Sequence, residues 1–165
     1  MDQSPGPPVE DAEQTVRIYG PMLYKLCFVM LANAEDAEDA VQDTMLQYLR
    51  RKPAFESAGH EKAWLLTVAG NRCRDMLRFK RRHPQIALEE LNASAEEKED
   101  TSALAALMTL PEKFRLVMTL HYVEGYTAEE IAPIIGRTPS AVRMRLQKGR
   151  VLLKEAYRKE NCDNE

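Results

Sequence analysis

The stretch TAEEIAPIIGRTPSAVRMRLQKGRVLL (residues 127–153) decides the fold. Thr127 and Glu130 have the spacing of a capping box, in which two side chains satisfy backbone donors at the start of a helix. A short helical pattern follows, Gly136 supplies a turn, and Pro139 is placed to restart the chain as a second helix. In that second helix Val142, Leu146, Gly149 and Leu153 recur at inward spacing. Ser140, Arg143, Met144, Gln147 and Lys148 are left outward with no acid among them. This is the pattern of a helix-turn-helix whose second helix suits a DNA major groove. There arginine binds guanine bidentately, glutamine binds adenine, methionine touches a thymine methyl and lysine adds charge for phosphates. A generic basic amphipathic helix would share the charge but lacks the ordered box and turn.

Working backward, Leu104, Leu107, Met108 and Leu110 begin a helical pattern. Pro111 opens another through Phe114, Val117, Met118 and Tyr122, which Gly125 ends. The whole chain has 165 residues, enough for one domain or two small ones. Hydrophobic residues at 44% and charged residues at 30% read as globular, and aromatics at only 7% with little Val/Ile alternation point to an all-α protein. The longest apolar run, Leu26 to Ala32, is far short of the roughly 20 residues of a membrane span. The N-terminus lacks a basic segment followed by an apolar one, so no secretory signal is read and a cytoplasmic location is expected. Cys27, Cys73 and Cys162 have neither CxxC nor Cys/His spacing, so no zinc site, no disulfide framework and no cofactor is expected.

The net charge of -3 conceals segregation. Residues 71–84 hold six basic side chains and one acidic, and residues 137–154 hold six basic and none acidic. Between them QIALEELNASAEEKEDTS (85–102) holds six acidic and one basic. That composition reads as a linker between two helical domains, with a solvated helix face as the alternative. The expected organisation is a disordered acidic tail over 1–12, a first domain over 13–84, the linker, a helix-turn-helix domain over 103–159 and a tail over 160–165.

In the first domain a helix from about Thr15 to Leu31 places Val16, Tyr19, Leu23, Cys27 and Met30 at core spacing, with Gly20-Pro21 marking a kink or restart. The next helix opens after Asn33 as N-cap, with Ala37, Ala40, Val41, Thr44, Met45 and Tyr48 as its inner stripe. Asp39, Gln42, Asp43 and Leu46 share the opposite face, and an outward leucine among polar groups suggests docking. A solvated acidic face is the plainer alternative; a metal-carboxylate site would need a second acidic helix to face it, and none is offered. After a loop with Pro53, Phe55, Ser57 and Gly59, a third helix over about Glu61 to Arg82 is expected to bury Leu65, Val68, Ala69, Met76 and Phe79. Its other side carries Trp64, Thr67, Asn71, Arg74 and Arg78 in one row. Two readings stand side by side: a surface for opened nucleic acid, with an aromatic for stacking and arginines for phosphates, or a core tryptophan beside a solvated basic turn that favours the helix dipole.

Over residues 13 to 158 these motifs together resemble the extracytoplasmic function (ECF) group of bacterial RNA polymerase sigma factors. DAEDAVQD (36–43) is similar to the helix that docks on the polymerase clamp coiled coil, HEKAWLLTVAGNRCRDMLRFKRR (60–82) to the promoter-melting helix, and LPEKFRLVMTLHYVEGYTAEEIAPIIGRTPSAVRMRLQKGR (110–150) to the region that binds the polymerase flap and reads the upstream promoter element. The resemblance implies a non-enzymatic factor that directs core polymerase to promoters and assists melting. It implies polymerase contacts by Asp39, Gln42, Asp43 and Leu46, and minus-ten contacts by Phe55, Trp64, Thr67, Asn71, Arg74 and Arg78, with a flipped non-template base held by loop and helix. It implies minus thirty-five contacts by Ser140, Arg143, Met144, Gln147 and Lys148, and an anti-sigma factor as a further partner. The alternative is a stand-alone helix-turn-helix regulator. Pro133 and Gly149 depart from the pattern: proline inside a helix costs about 3 kcal/mol unless the helix kinks, and glycine about 1 kcal/mol.

Overall fold

A computed structural model describes residues 9–51, 54–84 and 102–163. Among them every regular element is helical: α1 (Val9–Leu31), α2 (Ala34–Arg51), α3 (Ala58–Arg82), α4 (Ser102–Met108), α5 (Glu112–Met118), a π-helical turn (Thr119–Val123), α6 (Ala128–Ile135) and α7 (Pro139–Asp163). The chain divides into two compact units, Met1–Met76 and Leu77–Glu165. The acidic stretch 85–101, the first eight residues and Pro53 lie outside the described residues.

In the first unit α1 packs along α2, and the small residues Ala37 and Ala40 of α2 are buried with Leu23, Leu26 and Met30 of α1. The core is completed by Leu65, Leu66, Ala69 and Cys73 of α3. The thiols of Cys27 and Cys73 meet there; the hydrogen bond between them, with burial, pushes the Cys73 thiol above its ordinary range. Helix α1 begins at Val9 rather than near Thr15 and runs unbroken through Pro21, which is exposed, so the carbonyl released by its missing N–H lies where water can reach it. Two expected core residues are corrected. Val16 is 45% exposed and Thr15 is buried instead, because the stripe through Leu23 steps back by fours to Tyr19 and Thr15. Phe79 is 51% exposed, since α3 has left the first unit's core by Met76, and it stacks on His83 at 4.1 Å.

In the second unit α7 is the central element, packed against α4, α5 and α6. The helix expected to run from Pro111 to Gly125 is α-helical only to Met118. It then widens into the π turn, where the Glu124 N–H reaches the Thr119 carbonyl at 3.1 Å. The extra residue in that turn keeps Leu120 buried while turning Tyr122 and Val123 to the surface, against the expectation that Tyr122 continues the inner stripe. Pro133 does not break α6: it is exposed, and the helix continues to Ile135 before Gly136 closes it at φ 68°. Gly149 is more than a weak helix former. A Cβ there would stand 3.1 Å from Met118 Sδ and 3.7 Å from Phe114 Cβ, so the missing side chain lets α5 lie close on α7.

Two substitutions test this packing in opposite directions. Gly149→Val forces extra methyls against Met118 and should lower stability by about 1–3 kcal/mol, whereas Gly70→Ala, whose added Cβ meets nothing within 4 Å, should raise it by roughly 0.5–1 kcal/mol. Urea unfolding of the full chain followed by far-ultraviolet circular dichroism reads both.

Candidate nucleic-acid interface

The outward face of α2 is phased by Asn33, whose Oδ1 accepts from the Asp36 N–H at 3.0 Å. With Ala37, Ala40, Thr44 and Tyr48 buried, Asp39 and Gln42 are exposed and Leu46 is 45% exposed. Leu49, three residues on, is also exposed and widens the apolar strip; its spacing from Leu46 was the available signal. Asp43 differs from its neighbours. Its Oδ2 accepts from Arg72 Nε at 2.6 Å, tying α2 to α3.

The loop into α3 is held by an aromatic cluster. Phe55 stacks on Tyr48 with centroids 6.1 Å apart and meets Trp64 and His60 edge-on at 5.9 and 5.5 Å. Tyr48 also meets the Trp64 edge at 6.2 Å and donates its hydroxyl to Glu61 at 3.3 Å. The Glu56 N–H donates to His60 Nδ1 at 3.3 Å, and Ser57 caps α3 through the His60 N–H at 3.1 Å, so Gly59, expected in the loop, is already helical. Tyr19 donates to the Ala58 carbonyl at 3.4 Å, and burial, then the charge of Glu61, raises its pKa. Tyr48 and His60, absent from the expected set, are therefore what positions Phe55 and Trp64.

Trp64 falls between its two readings: half-buried, with ring contacts on one side and part of its surface exposed. Thr67 spends its hydroxyl on the Ala63 carbonyl at 2.8 Å. Asn71 and Arg78 are exposed, Arg74 is half-buried, and Arg74 donates to Asn71 Oδ1. Trp64 and Asn71 are two turns apart, about 10 Å along the axis. Phe55 of the loop meets this row at Trp64, its first member on α3.

In the second unit both helices of the turn are capped. Thr127 Oγ1 accepts from the Glu130 N–H at 3.2 Å while Glu130 Oε1 accepts from the Thr127 N–H at 3.1 Å, which is the full reciprocal box. Thr138 caps α7 through the Ala141 N–H at 3.2 Å. Val142, Leu146 and Gly149 face inward, and Leu153 is half-buried. Ser140, Arg143, Met144, Gln147 and Lys148 are all exposed, Met144 most of all at 71%. Arg143 pairs with Glu129 across the turn, and Lys148 Nζ lies 5.8 Å from the Phe114 ring centroid. Arg145 turns the other way: burial, then the neighbouring Arg137 charge, lowers its pKa. The resulting surface is cationic, with a ladder of donors and one long apolar side chain. Among the described residues no three of His, Cys, Asp or Glu come together as a metal site, and no helix is long and apolar enough to cross a membrane.

Residues 15–83 match the family model described as Sigma-70 region 2, and residues 101–153 the one described as Sigma-70, region 4. The chain is similar to the RNA polymerase sigma factor CarQ of Myxococcus xanthus, 34% identical over 134 residues that cover 76% of this chain and 77% of the relative. It is 26% identical to the ECF RNA polymerase sigma factor SigW of Bacillus subtilis, covering 87% of both chains. Among solved structures it is similar in fold to the sigma factor RpoE in complex with the anti-sigma factor NepR from Bartonella quintana. That likeness has a TM-score of 0.73 at 23% identity and covers 90% of this chain and 98% of that one.

The Glu129–Arg143 pair gives a titration test. The Glu129 carboxylate lies below the ordinary glutamate range, first through its own backbone N–H and then through Arg143. Carbon-detected NMR should give it a lower midpoint than other exposed glutamates, and Arg143→Met should raise that midpoint part of the way. Because the folded pKa is depressed, what stability the pair adds is present above the ordinary glutamate pKa and is lost as pH falls through the folded one.

Proposed function

We propose a division of labour between the two units of this chain, which belongs to the sigma-70 family of bacterial RNA polymerase sigma factors and to its ECF group. It is a transcription initiation factor, it binds core polymerase and promoter DNA, and like its family it is not an enzyme. In our reading the outer face of α2 docks on the polymerase clamp coiled coil through Asp39, Gln42 and Leu46. Asp43 contributes with the carboxylate oxygen that Arg72 leaves available. The second unit docks on the flap. Work beside polymerase places the protein in the cytoplasm. An anti-sigma factor is the expected regulator, by likeness to the solved neighbour that was captured with one.

The helix-turn-helix domain, which we take as residues 103–159, carries duplex recognition. The observation that carries this reading is the acid-free outward row of Ser140, Arg143, Met144, Gln147 and Lys148 on a helix fixed at its start by Thr138. A bidentate arginine–guanine pair in the minus thirty-five element supplies about 1–3 kcal/mol of discrimination. The N-terminal domain, which we take as residues 13–84, acts on the minus-ten element. Removing a base from the stack costs a few kcal/mol, and a protein ring returns roughly 1–3 kcal/mol by stacking. Phe55, on a loop already braced by Tyr48 and His60, and the open part of Trp64 on α3 offer such rings, so little ordering remains to be done when the base arrives. Thr67 lines the same strip, Asn71 supplies an amide edge for the base, and Arg74 and Arg78 follow the phosphates.

Asn71→Ala should spare closed-complex formation and impair opening, because its contact is made only after the strands part. With polymerase, binding to duplex promoter should be near normal, permanganate reactivity of minus-ten thymines should fall, and a template with a pre-opened bubble should restore much of the activity. Equal defects on both templates would assign Asn71 to folding or core binding.

Asp39→Ala combined with Gln42→Ala should weaken affinity for core polymerase without changing helical content, since both side chains lie opposite the α2 core. A fluorescence titration of core enzyme with labelled variant reads the affinity, and an unchanged value would return this face to solvent.

A further inference from the structure

Two adjacent glutamates open α6 and do different work. Glu130 completes the capping box with Thr127, so the reciprocal cap is made without Glu129. Glu129 reaches across the turn to Arg143 Nη1, fourteen residues along the chain, and side chains of both remain more than half exposed at 64% and 55%. An exposed pair of this kind adds little to stability. Its consequence is directional. A guanidinium is a planar fork of five N–H donors on a long, flexible stem, and holding the Nη1 side fixes the plane while leaving other donors for a base edge.

The charge adds a second constraint. Glu129 is a carboxylate beside the cationic face of α7, and Arg143 neutralises it only while the two stay together. For Arg143 to swing onto a phosphate, as it would on a wrong sequence, Glu129 would be left facing DNA unneutralised. Non-specific use of Arg143 is therefore disfavoured, while base reading, which leaves the pair intact, is not.

From this geometry we infer that Glu129 is a specificity-determining positioning residue: it sets the direction in which Arg143 meets its base in the upstream promoter element. The inference rests on the reading of α7 as the base-reading helix.

A double-mutant cycle on full-length protein bound to core polymerase tests it, with Arg143→Ala, Glu129→Gln and the combination competed on promoters carrying each base at every position of the upstream element. Gln at 129 keeps size and leaves the capping box untouched. Arg143→Ala should flatten the preference at one position by roughly 5- to 150-fold, the range of one bidentate pair. Glu129→Gln should reduce preference at that same position by about threefold or more, while binding to all sequences tightens slightly at low salt because a negative charge is gone. In the Arg143→Ala background it should change no preference further. Structural damage would instead weaken binding to every sequence, and that outcome overturns the inference. So does a Glu129→Gln effect that persists without Arg143, which would make Glu129 itself the reader, or an unchanged profile in Glu129→Gln while Arg143→Ala flattens. If Arg143→Ala leaves the profile intact, it is the α7 reading that fails, and the inference falls with it.

Discussion

Four helices of this protein start on the same interaction: a side-chain oxygen accepting the backbone N–H three residues on. Asn33 does this for α2, Ser57 for α3, Thr127 for α6 and Thr138 for α7. A helix start has four N–H groups without intrahelical partners, and a cap satisfies one of them at about 1 kcal/mol. Here the larger consequence is geometric. Once its first residue is fixed, the 3.6-residue repeat determines which side chains turn outward along the rest of the helix. Asp39, Gln42 and Leu46 on α2, Asn71 and Arg78 on α3, and the row from Ser140 to Lys148 on α7 are outward because of where their helices begin.

The packing beneath these faces is adjusted by local departures from ideal helix. The π turn after Met118 inserts one residue, and Gly149 removes a side chain where α5 meets α7. Arg115 serves the same unit from inside. It is only 9% exposed, its Nη1 donates to the Met108 carbonyl at 3.2 Å, and burial lowers its pKa. A charged donor there takes up a carbonyl that the end of α4 leaves unused. In the first unit the aromatic cluster plays the corresponding part: Tyr48 belongs to α2, yet it holds the loop before α3, and Thr15 of α1 donates to its hydroxyl at 3.5 Å.

Helix class, the caps at Asn33 and Thr127, the turn at Gly136 and the outward row of α7 were legible because each depends on residues within one or two turns. What was not legible depends on partners distant in the chain. The spacing of Asp43 matches that of Asp39 and Gln42, and only the fold brings Arg72 beside it. The spacing of Trp64 fits core and surface equally, and only the fold brings Phe55 and Tyr48 around it. Gly149 reads as a defect in a helix taken alone and as a contact once Met118 lies across it. Val16 and Tyr122 face outward because phase decides over apolar character: Thr15 occupies the inward position in one case, and a widened turn shifts the register in the other.

The proposed division of labour is spatial, with one unit at the upstream element and the other at the region that opens. Tethered chemical cleavage measures it directly. Cys27 and Cys73 are buried and Cys162 is exposed, so Cys162→Ser leaves a background on which a cleavage reagent can be attached at Met144→Cys or, separately, at Asp75→Cys, one turn beyond Asn71. With core polymerase on a promoter, the reagent at 144 should cut duplex DNA within the minus thirty-five element and the reagent at 75 should cut the non-template strand in the minus-ten region. Cleavage of the same element from both positions, or unlocalised cutting from 144 in a complex that still makes promoter-specific transcripts, would contradict the division of labour.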